Sequence, residues 1–190
     1  MAEPRDLPLF AWAEAFRIGR ARRRRLGARA ALAALGIGAL CATIAVPPSP
    51  RLVWNASASA PVGLYRVMPS APVATGDMAV AWLPADARAL AARRRYLPAN
   101  VPAVKRVAAG PGARVCALGE TVFVDGRPVA RRLAADRLGR ALPWWEGCHV
   151  LGPGERFLLM GESPASFDGR YFGPSRASDI VGRATLLWAR

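Results

Sequence analysis

From Ala30 to Val46 the chain runs 17 residues without a charge, directly behind six arginines between Arg20 and Arg29. In hydrocarbon every backbone polar group must be satisfied within its own segment, so such a run is committed to a helix, and this length is the short limit for crossing a bilayer. Ala28 and the Pro47-Pro48 flank extend the path, and the expectation is one transmembrane helix over residues 28–48. A cleaved signal peptide shares the pattern of basic flank and apolar run. Its leading region is short, however, whereas here the run begins only at Ala30, so a retained anchor is the better reading. Arginines before the run and none just after it put residues 1–27 on the cytoplasmic side as a basic tail and residues 49–190 across the membrane. Within that tail, Leu7 to Ile18 is compatible with a short helix at the membrane surface or with a loose tail.

Charge narrows the partners. The net charge is +14, of which residues 1–29 supply +5 and residues 30–190 supply +9. The later arginines are dispersed apart from Arg93-Arg94-Arg95 and Arg131-Arg132, and no aromatic-plus-basic strand motif of a nucleic-acid module is present. A solvated basic face near anionic lipid headgroups fits better than DNA or RNA. Of the three cysteines, Cys41 falls inside the apolar run. Cys116 and Cys148 fall in the exported part, where an oxidising compartment favours a disulfide; closing that loop stabilises by about 3 to 4 kcal/mol in the chain-entropy model. One histidine and no paired-cysteine motif argue against a metal site, and no cofactor motif is present.

Beyond the anchor the chain reads as short strands separated by Gly and Pro. Candidates are Gly63 to Met68, Met78 to Leu83, Ala103 to Ala108, Ala113 to Leu118, Thr121 to Val124 with Pro128 to Ala130, Arg156 to Met160, and Ile180 to Trp188. Asp125-Gly126 predicts a hairpin, because a type I′ turn needs positive φ at both central residues. Ala85 to Arg95 is rich in helix formers and predicts a short helix. The pattern argues a mainly β domain, a coiled sheet or barrel, with a disulfide-closed insert around residues 116–148. Trp144-Trp145 lies in that insert. With Trp54, Leu64 and Tyr65, this pair is a candidate for the membrane interface.

Lys105 is the only lysine among 27 basic residues, in Val104-Lys105-Arg106-Val107. Arginine does not lose its proton in a protein, whereas a desolvated lysine becomes a neutral amine able to act as a base. Serine hydroxyls need such a base. His149, the only histidine, has no orienting carboxylate near it in sequence and reads as structural. Serine and lysine remain, and Asn55 to Pro61 holds Ser57 and Ser59 in a stretch that by itself also reads as a linker.

Ser57-Ala58-Ser59-Ala60-Pro61-Val62-Gly63-Leu64-Tyr65, then Lys105-Arg106-Val107 with Gly110-Pro111-Gly112, then Gly161-Glu162-Ser163 with Ser166-Phe167-Asp168-Gly169-Arg170, and last Ile180-Val181-Gly182-Arg183-Ala184, occur in that order. This series resembles the ordered motifs of type I signal peptidases, over Trp54 to Ala184, and Ser-Ala-Pro followed by Gly-Leu-Tyr resembles the conjugative-transfer, TraF-type branch. The resemblance implies a signal-peptidase-like β domain behind one anchor, with Ser59 as nucleophile and Lys105 as its general base. It further implies that Ser57 joins the Ser59 N–H in an oxyanion hole, that Ser166 orients the lysine, and that Asp168 and Arg170 form a supporting charge pair. The implied protein is a single-pass serine endopeptidase of the inner membrane with a periplasmic catalytic domain. Its partners would be membrane lipid and a membrane-tethered precursor, such as a pilin precursor, and it would use neither cofactor nor nucleic acid. The alternative is a non-catalytic structural component of a secretion or mating apparatus that keeps the fold.

Overall fold

The computed structural model describes residues 8–46, 49–69, 71–159 and 165–190. It divides into two units, Met1–Pro48 and Ser49–Arg190.

The first unit is one helix, α1 (Pro8–Ala45). Ala, Arg and Leu, all strong helix formers, fill the stretch that joins its arginines to its apolar run, and the lone Gly27 costs only about 1 kcal/mol there. The helix therefore runs without interruption through position 27, where the sequence suggests a change from tail to span. The part from Phe16 to Ala45 contains a window of mean hydropathy 1.7 and is long and apolar enough to cross a membrane. Leu32, Leu35, Ile37, Leu40 and Ile44 are all exposed, spread around the helix rather than on one stripe. At 1.5 Å per residue the whole helix is about 57 Å long, more than the hydrocarbon needs, so its arginine turns extend past the apolar span. Leu7 and Pro47-Pro48 lie outside the described residues.

The second unit is mainly β. Its elements are β1 (Leu52–Asn55), β2 (Gly63–Pro69), β3 (Met78–Ala81), α2 (Ala85–Arg93), β4 (Ala103–Ala109), β5 (Arg114–Leu118), β6 (Thr121–Val124), β7 (Arg127–Arg131), β8 (Gly147–Val150), β9 (Glu155–Leu159), α3 (Gly169–Phe172), β10 (Ser175–Arg176) and β11 (Ile180–Ala189). Seven strands form an antiparallel sheet in the order β1-β2-β11-β3-β4-β9-β10, and four form a second in the order β7-β6-β5-β8. The large sheet is curled and open, with β1 at one edge. Alternation sets the inward faces: Tyr65 and Val67 of β2, Val80 of β3, Val104 of β4 and Ala184 of β11 share one buried cluster. A second cluster, with Val115, Ala117, Val122 and Phe157, joins the small sheet to β9.

The small sheet and the segment between β7 and β8, residues 114–150, form an insert between β4 and β9. Asp125 (φ 49°) and Gly126 (φ 78°) both turn at positive φ between β6 and β7. Cys116 and Cys148 are directly opposed on β5 and β8 and are disulfide-bonded. Strands β1, β8 and β10, of four, four and two residues, lie outside the segments expected to be strands.

Two of the aromatics assigned to the membrane interface belong elsewhere. Tyr65 is buried in the core with its hydroxyl donating to Pro61 O at 2.9 Å. Trp145 packs edge-on against Phe157 and donates its indole N–H to Gly169 O at 3.1 Å. Burial of both apolar area and polar tip explains why neither projects outward. Trp54 and Trp188 remain exposed, their rings tilted against each other with centroids 5.8 Å apart.

At Gly182 β11 comes close to β2: a Cβ there would lie 2.3 Å from Met68 O and 2.8 Å from Pro69 Cα. Backbone atoms cannot yield cheaply, so Gly182→Ala is expected to destabilise by about 2 kcal/mol or more, read as a lowered midpoint in thermal unfolding.

Candidate active site

β4 is buried on both faces where Lys105 sits. Val104 and Val107 go into apolar clusters, and Lys105, opposite Ala79 of β3, is only 5 % exposed. Its Nζ donates to Ser166 Oγ at 3.3 Å. Beyond Ser166, the side chain of Asp168 caps α3 by accepting from Arg170 N at 3.1 Å, and the Arg170 guanidinium grips the same carboxylate with Nε at 2.8 Å and Nη2 at 3.1 Å. Both charges are fully buried, a fork geometry that satisfies each against the other.

This environment acts on the amine. Burial lowers the Lys105 pKa to about 8; the Asp168 carboxylate opposes the fall, and the Arg170 guanidinium adds to it. A lysine in water stays charged well above this range.

The loop between β1 and β2 carries the two serines, whose hydroxyl oxygens lie 2.7 Å apart. Ser57, Ser59, Lys105 and Ser166 all line one cavity of about 850 Å³. Its other walls come from the segment after α2 (Arg94, Tyr96, Leu97, Pro98, Val101) and from the insert (Leu133, Asp136, Leu138, Arg140, Leu142). Tyr96 and Asp136 join these two walls by a hydrogen bond. No hydrogen bond links Ser59 Oγ to Lys105 Nζ; the serine is paired with Ser57 instead. The structure thus brings Ser57, Ser59, Lys105 and Ser166 to one cavity, with Ser59 and Lys105 not in contact; Asp168 and Arg170 do not line it and pair with each other beyond Ser166. Gly161-Glu162-Ser163 lies outside the described residues.

The structure also shows what the sequence conceals. Asn55, at the end of β1, is buried and bonded four times to the serine loop. Phe167 lies against Tyr96, Tyr171 and Phe172, which fixes the chain on either side of Ser166 and Asp168. Arg132 is buried in the insert, bonded to Gly119 O and Glu146 and lying 4.3 Å from the Trp144 ring centroid. His149 has a carboxylate partner after all, Glu155 at 2.8 Å, but neither residue lines the serine cavity. That partner comes from the next strand, β9, six residues on, where no local motif would reveal it.

A model of the signal peptidase family, peptidase S26, matches residues 24–189. The chain belongs to this family. Its relatives include the plasmid transfer protein TraF of Escherichia coli, 35 % identical over 147 residues, covering 70 % of this chain and 82 % of that one. The conjugal transfer protein TraF of Agrobacterium fabrum is 37 % identical over 141 residues, 68 % of this chain and 78 % of its own. Similarity to these proteins places the chain in the conjugative-transfer branch of the signal peptidase family. Among solved structures, a signal peptidase I from Enterococcus faecalis is 17 % identical with a TM-score of 0.36, covering 62 % of this chain and 100 % of that one, a likeness too distant to bear on the site.

The lowered lysine pKa has a stability consequence. The unfolded chain holds the Lys105 proton up to the ordinary lysine range while the folded chain releases it near 8, so below pH 8 the native state carries a buried ammonium. The penalty is present in full there and disappears as pH rises toward the unfolded value. Lys105→Met is therefore expected to raise stability at pH 7 by about 3 kcal/mol, with the gain shrinking above pH 8, measured by denaturant unfolding across pH.

Proposed function

We propose that this chain is a membrane-anchored serine endopeptidase that removes leader or signal segments from exported precursors, using a Ser59/Lys105 dyad. The observation that carries the reading is the single lysine, buried with a pKa of about 8 in the same cavity as Ser59. A base that is about one-tenth neutral at pH 7 and half-neutral at about pH 8 is what an unactivated serine needs.

In this reading a precursor segment adds to the free edge of β1 and lies across the cavity. Ser59 Oγ attacks the scissile carbonyl as Lys105 Nζ takes its proton. The oxyanion is met by the Ser59 N–H and the Ser57 hydroxyl, which stands beside Ser59 Oγ. The ammonium then protonates the departing amine, and the neutral Lys105 draws a proton from water as it attacks the acyl-enzyme and frees Ser59. Ser166 keeps the amine aimed, and the Asp168–Arg170 pair holds the strip that carries Ser166. The Ser59–Lys105 bond forms when substrate enters, since catalytic hydrogen bonds often tighten only then.

The relatives' names point to conjugative transfer, and maturation of a pilin precursor is the task we assign. Residues 1–27 stay cytoplasmic, residues 28–48 anchor the chain in the inner membrane, and residues 49–190 work in the periplasm. Trp54 and Trp188, with exposed Leu52 and Leu187 on the same two strands, form the apolar patch that meets lipid.

Ser59→Ala, Lys105→Ala and Lys105→Arg are each expected to lower cleavage of a membrane-inserted reporter precursor by at least about a thousandfold. Ser57→Ala should lose about a hundredfold. Full cleavage by Lys105→Arg would overturn the dyad, because a guanidinium cannot serve as the base. In the unaltered protein the cleavage rate should rise about tenfold from pH 7 to pH 9 and then level, as the neutral fraction of Lys105 saturates. For the lipid contact, brominated lipids in vesicles should quench tryptophan fluorescence of the full chain less in Trp54→Phe/Trp188→Phe than in Trp144→Phe/Trp145→Phe; the opposite order would exclude the patch.

A further inference from the structure

The loop from residue 56 to residue 62 carries both serines and contributes one residue, Ala60, to the apolar core. Most of the side-chain bonds that hold its backbone come from one residue. Asn55 Nδ2 donates to Ser57 O at 2.9 Å, Ala60 O at 3.1 Å and Pro61 O at 3.2 Å, and Asn55 Oδ1 accepts from Ser57 N at 3.2 Å. An amide nitrogen has two hydrogens, so one of them is shared between two of the three carbonyls. The carboxamide therefore grips the loop at both ends, with Ser59 between the held residues. Both backbone polar groups of Ser57 are fixed by it, which leaves the Ser57 side chain as the part free to meet Ser59 Oγ at 2.7 Å.

Three features argue that this clamp serves the serines rather than the fold at large. All four bonds end within residues 57–61, so Asn55 ties no other strand or helix. The clamp is anchored from outside, because Tyr65, rooted in the core, donates to the same Pro61 O at 2.9 Å. And Asn55 itself lines the cavity that holds Ser59 and Lys105, so its burial is against the site. The requirement is for a donor: a carboxylate in its place would face three carbonyl oxygens with no hydrogen to offer.

We propose that Asn55 is a positioning residue for the nucleophile, holding Ser57 and Ser59 in register with each other and with the cavity. The inference rests on the reading that Ser59 attacks. Misplacement of a reacting atom by about 1 Å costs on the order of a hundredfold in rate, which is the effect the clamp prevents.

The test uses the full chain in detergent micelles with p-nitrophenyl acetate as acyl donor, and mass spectrometry to locate and count the acetyl group. The unaltered chain should take up acetyl on Ser59. Asn55→Ala and Asn55→Asp should acetylate Ser59 about a hundredfold more slowly, with the final stoichiometry and the pH midpoint of the rate unchanged, because the base is untouched. A wild-type rate in Asn55→Ala overturns the clamp and leaves the Ser59 reading standing. So does a reduced stoichiometry with the remaining chains reacting at full rate, since that is a folding role alone. Failure of the unaltered chain to acetylate Ser59, or an undiminished rate in Lys105→Ala, removes the underlying reading and the clamp with it. Should Asn55→Ala not accumulate, Asn55→Ser keeps one donor in place and is expected to show an intermediate loss of about tenfold; a wild-type rate there counts equally against the proposal.

Discussion

Removing one ammonium group from water is the constraint around which the second unit is organised. Lys105 sits on a strand buried on both faces, and burial is the largest influence on its proton. Left beside a bare carboxylate, the amine would be driven back to its charged form. Arg170 closes on Asp168 with two side-chain bonds and offsets that pull, so burial prevails and a neutral amine becomes accessible. The ion pair is thus better understood as control of the local field than as a source of stability.

The insert takes part in that control. Arg170 Nη1 donates to Arg131 O at 3.1 Å, Leu133 N donates to Tyr171 Oη at 3.0 Å, and the Trp145 indole reaches Gly169 O at 3.1 Å. These bonds tie the strip bearing Ser166, Asp168 and Arg170 to a small sheet whose neighbouring strands β5 and β8 the Cys116–Cys148 disulfide joins. The same insert supplies one wall of the cavity. Support for the surroundings of Lys105 and one wall of the cavity therefore come from one element.

What could be read from the chain beforehand was what depends on periodicity or on rare residues. Alternation in Gly63 to Met68 and Ala103 to Ala108 located β2 and β4, paired positive φ located the Asp125-Gly126 turn, and the solitary Lys105 marked the site. What stayed hidden depends on three-dimensional closure. Asn55 has the composition of a linker residue, and its role exists only once the loop folds back on it. Trp145 and Tyr65 look like interface aromatics until packing and a hydrogen bond claim each end. The continuity of α1 was obscured because charge marks where a membrane stops, whereas helix propensity is indifferent to that border.

The use of arginine almost everywhere else has a consequence for how such a protein responds to its surroundings. Guanidinium groups hold their charge across the range in which Lys105 changes state, so a shift in pH near 8 alters one buried amine while the arginines keep their charge. In the function we propose, reactivity and attraction to anionic headgroups rest on two different cations, so the one changes with pH while the other holds.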